Sequence, residues 1–103
     1  MNIPAGAVKQ QQINAAIATV QREMTPWVRH IGYDIEEDWS GQWAIFFRVL
    51  LSDEAVQSML KDVATRVVWR TSERLDLPSL GLFPYFDFRS ESEQARIHEP
   101  SQD

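Results

Sequence analysis

Residues 43–51 read WAIFFRVLL, and how this stretch alternates decides the fold. Trp43, Ile45, Phe47, Val49 and Leu51 share one parity, and Ala44, Phe46, Arg48 and Leu50 share the other. Successive strand side chains point to opposite faces. One face of this segment is therefore wholly apolar, and the other is apolar except for one cation. A strand so poor in polar groups belongs in the middle of a sheet.

Working upstream, Trp27, Ile31, Tyr33 and Ile35 alternate with Val28, His30, Gly32 and Asp34, which predicts another strand over 27–35. The link EEDWSGQ, residues 36–42, is polar and carries Ser40-Gly41 as turn chemistry, so the two strands form an antiparallel hairpin. Three adjacent acids, Glu36, Glu37 and Asp38, do not suit a calcium loop, which spaces its oxygen ligands at alternate positions. They read as a solvated tip. Further upstream, Ile13, Ala16, Ile17, Val20 and Met24 recur at helical spacing from Val8 onward. Pro26 ends that helix, because the residue before a proline is pushed out of helical dihedrals.

Downstream, Ser52 or Asp53 caps a second helix whose buried stripe is Val56, Met59, Leu60, Val63 and Val67, running to Leu75 or Asp76. Residues 77–81, LPSLG, are a turn. Residues 82–89, LFPYFDFR, are a third strand. Pro84 cannot donate a ladder hydrogen bond, which puts this strand at a sheet edge or makes its start irregular. Aromatics stand on both of its faces, so its register is ambiguous; Leu82, Phe86 and Phe88 are placed inward, and Phe83, Tyr85, Asp87 and Arg89 outward. Ser90 and Glu93 have capping-box spacing and open a last helical turn.

The expected fold class is α/β, more narrowly α+β. The order α-β-β-α-β gives a two-layer sandwich, a three-stranded mixed sheet with two helices on one face, like a truncated ferredoxin-like fold. Residues 1–7 read as a flexible leader, 8–97 as a single domain and 98–103 as a tail. The second face of the sheet then has nothing to cover it. It is expected to carry Val28, His30 and Asp34 from the first strand and Ala44, Phe46, Arg48 and Leu50 from the second. The third strand adds its outward residues. So much exposed apolar surface is unusual for a monomer, and a second copy, a partner protein, the C-terminal segment or a ligand is expected to cover it.

With 15 acids against 10 basic residues, the formal net charge is -5, which argues against nucleic acid as a partner. Eight of the cations are Arg, a residue favoured at interfaces. No cysteine is present, which removes disulfides, thiolate catalysis and Cys-ligated metals. Only His30 and His98 remain as imidazole ligands, and no phosphate loop or nucleophile elbow occurs. The expectations are no cofactor, no metal, no membrane partner and a cytoplasmic setting, with catalysis possible but unsupported.

Two sets of residues stand out. His30, Asp34, Arg48, Tyr85 and Asp87 fall together on the open face and would be a ligand-binding set if a pocket exists there. The bland reading is a ladder of cross-strand charges, with Asp34 and Asp87 flanking Arg48. Trp39, Phe46, Leu50, Trp69, Phe83 and Tyr85 are candidate interface residues. Trp69 lies opposite the buried stripe of the second helix, either as an anchor or folded along the Arg66 and Arg70 stems. Ser40-Gly41 followed by alternating apolars, then Ser52-Asp53-Glu54 opening a helix, resembles the cytoplasmic C-terminal domain of cation-efflux transporters. That resemblance implies the same element order and dimerisation. With no membrane-spanning run and two His, it does not imply metal transport. The leading expectation is an interaction or accessory module that forms a homodimer or binds a partner protein. The alternative is a small-molecule-binding protein or enzyme using the open face.

Overall fold

The computed structural model describes residues 9–97. The leader and tail read at 1–7 and 98–103 fall outside the described residues. Helix α1 spans Gln10–Glu23 and is followed by β1 (Val28–Glu37) and β2 (Trp43–Leu51). Two helices then occur in succession, α2 (Asp53–Ser58) and α3 (Leu60–Arg74). Strand β3 (Phe83–Ser90) and α4 (Glu91–Ile97) complete the order. The sheet order is β1-β2-β3, with β1 antiparallel and β3 parallel to the central β2. This is the mixed α+β sandwich that the alternation of residues 43–51 implies. No described helix is long and apolar enough to cross a membrane.

The inner face of the sheet is built in rows. Ile31 pairs with Val49 and that with Phe88, and Tyr33 pairs with Phe47 and that with Phe86. Phe47 is 1% exposed and lies at the centre, stacked on Phe86 with ring centroids 4.7 Å apart. Ile13, Ile17 and Val20 of α1 and Val63 and Val67 of α3 close the core over these rows. The molecule is a slab with a short dimension of 22 Å, which fits one helix layer on one sheet, since packed layers lie about 10 Å apart.

Two sequence expectations are corrected. Val28 is not on the open face. It pairs with Leu51 while His30 pairs with Leu50, so Arg29 is an extra residue, a bulge that shifts the parity of β1. Val28 is thereby returned to the core, at 3% exposure. The second helix is not continuous either. Met59, with φ -141 and ψ 22, separates α2 from α3. The break resets the helical phase, so Leu60, read as part of the buried stripe, is an exposed residue, while Val56 and Met59 still pack on the core. Ser52 is the cap, its hydroxyl accepting from the Ala55 amide at 3.1 Å.

The edge of β1 is closed from the helix side. The Gln21 carboxamide accepts from the Ile31 amide at 3.1 Å and donates to the Arg29 carbonyl at 3.4 Å, beside the bulge. Glu23 of α1 pairs with Arg70 and Arg74, which ties the two long helices together on their solvent side.

Candidate functional site on the open sheet face

On the outer face, the register sets four rows across the strands. They are His30–Leu50–Arg89, Gly32–Arg48–Asp87, Asp34–Phe46–Tyr85 and Glu36–Ala44–Phe83. The outward assignments made for β2 and β3 from sequence are therefore the observed ones. His30, Asp34, Arg48, Tyr85 and Asp87 share this face, but they form two groups rather than one.

The first group is aromatic and lies toward the hairpin tip. Phe46 stacks on Tyr85 with centroids 5.0 Å apart, and Phe83 and Trp39 tilt against Tyr85 at 5.2 and 5.5 Å. Trp39 therefore packs on β3 of its own chain. It is nevertheless 84% exposed, and Phe83 is 47% exposed. Asp38 holds this arrangement in place. Its Oδ1 accepts from the Ser40 amide, the Ser40 hydroxyl and the Gln42 amide at 2.9, 2.7 and 3.0 Å. Its Oδ2 accepts from the Tyr85 hydroxyl at 2.9 Å. These bonds, the Ser40 hydroxyl first, hold the Asp38 carboxyl below the usual carboxylate range. Desolvation, followed by the Asp38 carboxylate, pushes the Tyr85 hydroxyl up. Gly41 turns the chain at φ 85, in the left-handed region glycine favours.

The second group is polar and lies at the opposite end. Arg48 pairs with Asp34, and Arg89 Nε pairs with Asp87 Oδ2 at 3.1 Å. The expected trio of Asp34 and Asp87 about one Arg48 is thus replaced by two separate pairs. Arg48 reaches along the face because Gly32, directly opposite on β1, has no side chain. A Cβ at Gly32 would stand 3.2 Å from Arg48 Nη2 and 3.6 Å from His30 Nε2.

Helix α4 roofs this polar end, so the C-terminal segment, one of the covers expected from the sequence, covers part of the face. Ser90 and Glu93 form a reciprocal capping box, with bonds of 3.1 and 3.0 Å. Asp53, at the start of α2, accepts from the Ser92 amide and hydroxyl at 3.1 and 2.7 Å, which ties the first turn of α4 to α2. Arg29 of the bulge pairs with Glu91 at 3.3 Å. So anchored, α4 brings Gln94 and Ile97 over His30, Arg48 and Leu50. Together they line a cavity of about 380 Å³, open to solvent on one side, that Asp87 and Arg89 also line. The capping-box spacing gave α4, but nothing in the sequence indicated which way it would turn.

Leu50 belongs to the roofed end and not to the exposed aromatic group. Trp69 is separate from both. It is 63% exposed on α3, in the helical layer, beside Ala64, Thr65 and Val68. Among the described residues, no group of three or more His, Asp or Glu converges as a metal site. Comparison with family models, with curated proteins and with solved structures returns no match, and the resemblance to cation-efflux C-terminal domains finds no support there.

Proposed function

We propose that this chain is a non-enzymatic interaction module of the cytoplasm that pairs with a second copy of itself through the open sheet face. The observation that carries the reading is the aromatic group. Trp39 and Phe83 stand exposed beside Phe46 and Tyr85, on the half of the face lined by neither Gln94 nor Ile97 of α4. Exposed aromatics held rigid by their neighbours supply contact area at low entropic cost.

A second copy is the occupant this reading commits to. A twofold axis lying across the strands reverses one face on the other. It sets each Trp39 toward the α4 end of the partner, where Ile97 is 55% exposed. Sedimentation equilibrium on the purified chain tests this: a dimer is expected, and Phe83→Asp is expected to shift it to monomer.

A further inference from the structure

Beyond self-association, we propose that the cavity between α4 and the open face binds a small organic carboxylate with a short apolar body. At about 380 Å³ the cavity has the size of a small-ligand site. Its lining joins two chemistries. Val49, Leu50 and Ile97 are apolar, and His30, Arg48, Asp87, Arg89 and Gln94 are polar.

The polar groups of the lining select the ligand. Both acids nearby are already matched: Asp34 holds Arg48 through Nη1, and Asp87 holds Arg89 through Nε. Each guanidinium carries five N–H donors, so each keeps several unused. Arg48 Nη2 and His30 Nε2 both lie beside Gly32, where no Cβ intervenes. Among the described residues, neither the His30 ring nor the Gln94 amide donates to a protein acceptor. The unpartnered groups around the cavity are thus predominantly donors. A planar carboxylate satisfies them bidentately, whereas an ammonium finds one carboxylate in the lining, Asp87, whose Oδ2 is already bonded to Arg89. The apolar wall favours an aromatic or short-chain body over a bare inorganic anion.

The test uses the full chain with benzoate and hexanoate, titrated by isothermal calorimetry and followed by two-dimensional NMR. Benzyl alcohol and hexylamine serve as neutral and cationic counterparts. Saturable binding of a carboxylate with Kd below about 1 mM, with shifts centred on His30, Arg48 and Gln94, is expected. The alcohol and amine are expected to bind at least tenfold more weakly. Arg48→Met keeps the apolar stem and removes the donors, and is expected to weaken carboxylate binding at least tenfold. Trp69→Ala, on the other layer, is expected to leave it unchanged. No saturable carboxylate binding, equal binding of the amine, or full binding by Arg48→Met overturns the proposal. Sedimentation of the same samples reads self-association separately, so loss of either result leaves the other interpretable.

Discussion

The Tyr85 hydroxyl donates a 2.9 Å hydrogen bond to Asp38 Oδ2, joining the outer strand β3 to the tip of the β1–β2 hairpin. One carboxylate thereby organises both the turn and the aromatic group. Asp38→Ala is expected to disorder the tip and release Trp39 from Tyr85. The Trp39 indole N–H resonance should move in two-dimensional NMR as the ring leaves Tyr85, and thermal stability should fall. Asp38→Asn, which keeps one acceptor, should fall between the two. An unchanged Trp signal in Asp38→Ala would contradict the role assigned to this residue.

The same carboxylate predicts a pH dependence. Asp38, Asp53 and Glu93 are all held below their usual range by hydrogen bonds, from Ser40, Ser92 and Ser90 respectively. A carboxyl whose folded value is depressed binds fewer protons folded than unfolded. Its contribution is complete above the unfolded value, about pH 4, and is lost as pH falls through the folded value. Urea midpoints measured from pH 6 to pH 2 should decline mainly below about pH 4. The decline should be shallower in Asp53→Asn, where the link between α2 and α4 no longer titrates.

Phe47 and Phe46 are adjacent but face opposite layers, and they should behave differently. Phe47→Ala removes a side chain that is 1% exposed in the centre of the core, a change that costs about 3–5 kcal/mol. Phe46, half-buried on the open face, should cost about 1 kcal/mol in stacking on Tyr85. Urea denaturation of the two variants measures the contrast. Equal losses would mean that the sheet is covered on both sides in the isolated chain.

The Gln21 carboxamide bonds to the bulged edge of β1. Gln21→Ala should cost about 1 kcal/mol and should speed hydrogen exchange at the Ile31 amide, leaving central amides such as Phe47 protected. Exchange at Ile31 unchanged by the substitution would show that its protection has another source.

The layers were legible in the sequence because the period-two pattern of residues 43–51 leaves no alternative to a central strand. The parity of Phe83, Tyr85 and Asp87 was ambiguous in the sequence, because aromatics stand on both faces of the third strand, and the pairing with β2 decides it. Val28 was misplaced because a bulge at Arg29 changes the parity of the strand without any glycine or proline to mark it. Leu60 was misplaced because the helix break at Met59 likewise lacks such a residue. The site was legible only in part. Its residues could be put on one face, but the pairings Arg48–Asp34 and Arg89–Asp87 depend on diagonal and same-strand geometry that composition does not encode. The roof depends on the direction in which α4 turns. That direction is set by contacts such as Asp53–Ser92, between residues 39 positions apart, a separation at which no local pattern connects them.

Pairing through the open face is tested most directly by sedimentation equilibrium of the native chain against Phe83→Asp. The aromatic group predicts a dimer for the native chain and a folded monomer, by circular dichroism, for the variant. A native chain that is monomeric at all concentrations, or a Phe83→Asp variant that remains dimeric, would contradict it.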